Sequence, residues 1–261
     1  MSSNFQPNLL KHRKKGFASN TVLTRRAIYI CATTLAISAC SQSTNEKDKE
    51  IENYLLSHPQ TIQKSLDDFR EKQAQQKTAA VARVIEKYRN EIEHDPRDPE
   101  INPRGAITVT EFFDFRCPHC VSSNSKIMAI LKSNPDVRLV FKELPIFGQI
   151  SEKAAAAELA VKESGGDVLV FHNRLMSTKD LSIDKIDASL REIGINPTVL
   201  NDATLNENIN NSIKMSRRLS AELDLRGTPS FIVGNSIITG EDMDALSQAI
   251  DKLRMHRQPS L

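Results

Sequence analysis

Two thiols stand two residues apart in Cys117-Pro118-His119-Cys120, after the apolar run Val109-Thr110-Glu111-Phe112-Phe113-Asp114-Phe115 and before a stretch with helical spacing. That placement suits dithiol chemistry. The run reads as a buried strand, and Pro118 fits the first turn of a helix, where its missing N–H costs nothing. Cys117 then occupies the helix N-terminus, whose unpaired N–H groups and partial positive charge favour a thiolate over a thiol. Cys117 is the candidate nucleophile, and Cys120, one turn further on, is the candidate resolving thiol that attacks Cys117 in a mixed disulfide. His119 can add a donor and, when protonated, a positive charge beside the Cys117 sulfur. A structural disulfide or half of a zinc site could use the same residues. Zinc wants four ligands, and the chain has no second C-x-x-C and no His-x-x-x-His pair. The expectation is therefore no metal, and no cofactor beyond a redox-active Cys117–Cys120 disulfide.

With 261 residues and a formal net charge of +2, the chain has room for one or two domains and lacks the field that nucleic-acid binding would need. Its four cysteines are Cys31, Cys40, Cys117 and Cys120. The first two fall in an export-signal pattern: basic residues (Lys11, Arg13, Lys14, Lys15, Arg25, Arg26), then a thirteen-residue apolar run from Ala27 to Ala39. Spanning a bilayer takes about twenty residues, whereas a signal-peptide core needs fewer. Residues 1–39 are thus expected to be a signal peptide. Leu35-Ala36-Ile37-Ser38-Ala39-Cys40 resembles a bacterial lipobox, which implies lipidation at Cys40; the same small residues also fit an ordinary cleavage site. Both alternatives put the body outside the cytoplasm, in the periplasm, with the lipobox adding a membrane anchor.

Residues 40–50 are polar and aperiodic, the composition of a tether. Helical spacing begins at Ile51 and continues through Ile62, Leu66 and Phe69, then Val81, Val84, Ile85, Tyr88 and Ile92. Asp95-Pro96, Asp98-Pro99 and Asn102-Pro103 mark a linker. Helices striped in this interrupted way cannot bury themselves alone. Docking against the following domain would serve, but self-association between subunits is the expectation, so residues 51–100 are read as a helical oligomerisation segment and linker. From residue 101 to 261 the pattern is α/β: strand Ile107 to Phe113, helix from Pro118 to about Leu131, strand Val137 to Glu143, a helical insertion over about 150–224, a hairpin around Gly234-Asn235, and a last helix. A strand, crossover helix, strand order implies a parallel pair.

The chain resembles the DsbA-like thiol:disulfide oxidoreductases on three segments: Glu111 through Cys120, Lys142-Glu143-Leu144-Pro145, and Gly227-Thr228-Pro229. The resemblance covers about residues 101–255 and implies a thioredoxin fold with an inserted helical subdomain. A second, shorter resemblance, on Ile51-Glu52-Asn53-Tyr54-Leu55-Leu56-Ser57-His58-Pro59, is to the oligomeric suppressor-of-copper-sensitivity C proteins and related DsbA-like isomerases. By resemblance, Thr228-Pro229 is the cis-proline loop that faces the cysteines and pairs with substrate peptide, although the residues alone would also make an ordinary turn. Glu111 matches the buried acid that exchanges a proton with the resolving cysteine; desolvation in an apolar strand would raise its pKa, unless it points to solvent on the other face.

The resemblance implies an enzyme that forms or isomerises disulfides in exported proteins, works as a homo-oligomer, and is recharged by a DsbB-like or DsbD-like membrane partner. Two other classes use the same residues: a periplasmic chaperone whose groove near Thr228 holds unfolded chains, and a copper-handling protein using two thiolates beside His119.

Overall fold

The structure, a computed structural model, describes residues 46–257, so the expected signal peptide, Cys31 and Cys40 lie outside the described residues. The chain divides into two compact units, Met1–Glu71 and Lys72–Leu261. In the described part of the first, residues 46–57 form helix α1 and a longer helix, α2 (Pro59–Lys87), begins. His58 separates them, with Pro59 opening α2 where a lost N–H is harmless. The structure corrects the expected tether: residues 46–50 are helical, because Glu46-Lys47-Asp48-Lys49-Glu50, though aperiodic, is made mostly of good helix formers. Ion pairs along α2 (Lys64–Asp68, Arg70–Asp67) support its exposed surface. Ile51, Tyr54, Leu56, Ile62, Leu66 and Phe69 are all exposed.

The second unit is built on a five-stranded sheet in the order β1-β3-β2-β4-β5. The central strand β2 (Ile107–Phe113) is buried at all seven positions and runs parallel to β3 (Val137–Glu143), to which helix α4 (Pro118–Ser133) connects it. On its other side lies antiparallel β4 (Ser230–Val233), followed by β5 (Ser236–Thr239) at the edge. Between β3 and β4 the chain inserts α5 (Gln149–Glu163), α6 (Val168–Ser177), α7 (Ile183–Glu192), a 3-10 turn at Pro197–Asn201 and α8 (Ala203–Glu222); α9 (Met243–Arg257) closes the described chain. This is the thioredoxin fold with an inserted helical subdomain.

Two expectations about the 51–100 segment are corrected. The proline-rich linker is part of the sheet: β1 (Glu100–Ile101) pairs antiparallel with β3. Asp98, 3% exposed, sits 2.5 Å from the Lys142 ammonium, which also donates to the Glu91 carbonyl. The second apolar stripe is used within the chain. Ile85, Tyr88 and Ile92, at the end of α2 and in helix α3 (Arg89–Glu93), are buried with Phe112, Leu144, Leu219, Leu223 and Ile232. Backbone groups join the same contact, since Thr110 Oγ1 donates to Ile92 O at 3.1 Å and an Arg138 nitrogen to Glu93 O at 2.6 Å. The reason is that β2 is buried on both faces: Phe112 needs apolar cover, and residues 81–92 supply it together with Leu219 and Leu223 at the end of α8.

This sets where the catalytic unit can be cut. A chain starting at Glu100 loses the buried side chains of Ile85, Tyr88 and Ile92 and the partners of Thr110 and Lys142; at about 1.5–3 kcal/mol per side chain its stability should fall by on the order of 5 kcal/mol. A chain starting at Lys72 should keep the stability of the whole protein. Urea titration of the two truncated chains checks this, and equal midpoints would refute the assignment of residues 81–92 to the core.

Candidate active site

Asp114, just past β2, sets the entry to α4. Its backbone carbonyl accepts from Cys117 N at 3.0 Å and one carboxylate oxygen accepts from Arg116 N at 2.7 Å. The other oxygen accepts from Ile146 N at 2.7 Å and Phe147 N at 3.1 Å, which ties the loop after β3 to the turn before α4. Sequence reasoning missed this residue, although a lone acid between Phe113 and Phe115 is a signal for a buried carboxylate that must find N–H partners. Cys117 is the N-cap of α4, with extended backbone (φ −70°, ψ 117°), and Pro118 lies in the first turn.

Both thiols are free and buried, and their surroundings differ. A hydrogen bond from Cys120 lowers the Cys117 pKa to about 5, helped by the Thr228 side chain and by the backbone N–H groups of Cys120 and His119, against the opposing effect of burial. As a thiol, Cys117 donates to Thr228 O at 3.2 Å. Thr228 Oγ1 is buried with no other partner, so its hydroxyl is available to an ionised Cys117 sulfur. Cys120, fully buried, is held far above the ordinary thiol range by desolvation, by its hydrogen bond to Cys117 and by the charge of Glu111. Thr228-Pro229 is a cis peptide, placed against Cys117 as the resemblance implied.

Glu111 does not point to solvent. It is 2% exposed, and burial first, then the charges of Glu158 and Cys117, raise its pKa to about 8. Glu158 on α5 belongs to a buried group with Glu143 and His172, none of which the sequence singled out. Desolvation lowers His172 to about 3 and pushes Glu143 and Glu158 well up. His172 Nδ1 lies in hydrogen-bonding contact with Glu158 at 2.9 Å, with the imidazole stacked 4.1 Å from the Phe141 ring. His172 is 0% exposed.

The structure gives His119 a partner that the sequence did not indicate. Its imidazole is turned to Glu241, with Nδ1 2.6 Å from Oε1, and its backbone N–H is the group that it offers Cys117. Glu241, just after β5, was not anticipated.

A thioredoxin fold with two unequal thiols at the start of α4, facing a Thr-cis-Pro loop, defines a dithiol exchange protein. The chain belongs to the DSBA-like thioredoxin domain family, whose pattern residues 108–251 match, and is a thiol:disulfide oxidoreductase of that family. It is similar to disulfide bond formation protein D of Bacillus subtilis, at 26% identity over 159 residues, covering 56% of this chain and 72% of that one. Among solved structures it is similar to the thiol-disulfide exchange protein alpha-DsbA2 of Wolbachia pipientis (29% identity, TM-score 0.60, 67% of this chain and 97% of that one). Another is BcfH of Salmonella enterica Typhimurium (25% identity, TM-score 0.62, 84% of this chain and 98% of that one).

Two measurements follow from this ionisation pattern. Reduced protein treated with iodoacetamide at about pH 6 should be alkylated at Cys117 alone, because only its thiolate exists there; equal labelling of both thiols would contradict the assignment. Glu111→Gln should stabilise the protein. A buried acid raised from 4.5 to about 8 contributes most below about pH 4.5, and that contribution falls as pH rises towards 8. Removing the group should therefore gain about 2–3 kcal/mol at neutral pH and little at acid pH, read from thermal unfolding at the two pH values.

Proposed function

We propose that the chain is an extracytoplasmic enzyme that forms or isomerises disulfides in exported proteins through the Cys117–Cys120 dithiol, anchored to the membrane through lipidated Cys40. The observation that carries this reading is the inequality of the thiols. Cys117 is ionised at neutral pH, with the Thr228 hydroxyl as a donor to its sulfur, whereas Cys120 is fully buried beside Glu111. For a two-electron couple, each unit by which the nucleophilic thiol is acidified makes the disulfide more oxidising by about 30 mV.

In the oxidising direction a substrate thiolate attacks Cys117 Sγ and the Cys117–Cys120 bond breaks. Cys120 leaves as a thiolate and takes a proton from Glu111, which is neutral below about pH 8. A second substrate thiolate then attacks the substrate sulfur, and Cys117 leaves as its stabilised thiolate. The substrate gains a disulfide and the enzyme is left as the dithiol, to be reoxidised by a DsbB-like membrane partner. In isomerisation, the Cys117 thiolate of enzyme kept reduced by a DsbD-like partner attacks a wrong disulfide. Resolution within the substrate then returns it. Exposed Val121, Ile146 and Phe147, on or tied to the turns that carry Cys117, suit an unfolded polypeptide as substrate.

Exposed Ile62, Leu66 and Phe69 on α2 supply the apolar face for self-association, which would present several Cys117 thiolates to one substrate. Replacing all three by serine in the whole mature protein should give a monomer that still oxidises a reduced peptide and loses most activity on scrambled multi-disulfide substrates. A wild-type monomer by light scattering, or unimpaired isomerisation by the variant, would defeat this role. The in vivo redox state of the pair separates the two directions: predominantly disulfide for an oxidase, dithiol for an isomerase.

A further inference from the structure

Glu241 has the position of a residue that controls His119 without touching the sulfurs. It lies in the turn between β5 and α9, and one of its oxygens is 2.6 Å from His119 Nδ1. The other accepts from Ser122 Oγ, one turn along α4. Lys126 Nζ, a further turn along, is 3.8 Å away. The turn itself is fixed. Gly240 takes φ +74°, which a side chain would resist, and donates its N–H to Pro229 O at 2.8 Å. Glu241 is therefore held by the cis-proline loop on one side and by α4 on the other, with 25% of its side chain exposed against 71% for His119. Left alone, an imidazole so exposed would turn freely and exchange its proton near pH 6.5.

We propose that Glu241 is a positioning residue for His119, holding the imidazole on the α4 face as one half of a carboxylate–imidazolium pair, so that the ring keeps its charge beside Cys117 to higher pH than a free imidazole would. This deepens the thiol-exchange reading and rests on it. The charged and titratable groups facing the ring are Glu241 from the β5–α9 turn, and Cys117 and Lys126 from the α4 end, with Ser122 as a neutral donor. The Glu241 hydrogen bond is the largest influence raising the His119 pKa, followed by the carboxylate charge, and the Cys117 charge adds to it. In return Ser122 and then His119 hold Glu241 below the ordinary carboxylate range. Both partners are thus biased towards their charged forms.

Without the carboxylate, His119 would become an ordinary titrating imidazole two residues from the reactive sulfur. On going from about pH 8 to about pH 6 it would gain a positive charge that the native pair holds to higher pH and balances with the carboxylate. An added cation favours the Cys117 thiolate, and so the reduced form.

The test is Glu241→Gln in the whole mature protein, read by the His119 imidazole signals in an NMR pH titration and by the equilibrium with glutathione. That equilibrium converts the enzyme disulfide and two glutathione thiols to the dithiol and glutathione disulfide. The His119 midpoint should fall, and the variant's equilibrium constant relative to the native protein should rise a few-fold towards the reduced enzyme between about pH 8 and about pH 6. In a His119→Ser background Glu241→Gln should leave the equilibrium unchanged, because a positioning residue acts only through its partner. An unmoved His119 midpoint overturns the proposal. So does an equal change of equilibrium in both backgrounds, which would mean that Glu241 acts directly on the sulfur. The NMR titration needs no thiol exchange, so protein whose disulfide fails to equilibrate with glutathione at all would count against the exchange reading and leave the His119 shift as a separate result.

Discussion

The site depends on one asymmetry: two chemically identical sulfurs, one turn of helix apart, are solvated by different things. Cys117 has donors arrayed around it, from the Cys120 thiol, the Thr228 hydroxyl and the first N–H groups of α4. Cys120 is enclosed, with a carboxyl group for a neighbour. The helix N-terminus alone would favour a thiolate by a modest amount, since its effect fades within the first turn. Further separation needs the cis-proline loop pressed against Cys117 and β2 carrying Glu111 beneath Cys120, which makes the order of strands a chemical requirement. β2 must lie between β3 and β4, because the loop before β4 supplies Thr228 and β2 supplies both Glu111 and the turn at Asp114.

The inserted helices contribute chemistry as well as cover. Glu158 from α5 and His172 from α6 reach a space shared with Glu143 of β3, and all three are fully buried. Isolated charges there would be strongly desolvated, so burial biases the carboxyls towards their protonated forms and the imidazole towards its neutral one, its ring stacked on Phe141 and close to Phe113 and Phe115. Glu143 and Glu158 titrate as a unit, and the charge that Glu158 can carry is among the causes that raise Glu111. The insertion thereby adds to the proton affinity of the group beside Cys120.

Much of this was legible in residue order. The strands at Ile107 to Phe113 and Val137 to Glu143, the helix opening at Pro118, and an insertion over about 150–224 follow from periodicity and proline placement, and they lie within two residues of the observed elements. The pairing of Cys117 with Thr228 came from resemblance, since nothing in local pattern brings residues so distant in sequence together. What escaped were groups whose meaning lies in three-dimensional neighbours: Asp114, Glu143, Glu158, His172 and Glu241. Each is a polar residue of ordinary type at an unremarkable spacing. Only the fold shows that Glu158 is buried and that Glu241 comes back across the sheet to the start of α4.

The N-terminal helix shows why an apolar stripe names a need and leaves its partner open. Ile62, Leu66 and Phe69 and then Val81, Val84, Ile85 and Tyr88 read alike in sequence, as one amphipathic pattern with a polar interruption. The later group belongs to the core of its own unit because β2, buried on both faces, presents Phe112 on a side that these residues cover together with Leu219 and Leu223. That demand comes from the sheet and is invisible in the helix. The polar stretch Glu71 to Lys77 separates the exposed group from the buried one, and the boundary between the compact units falls at its start.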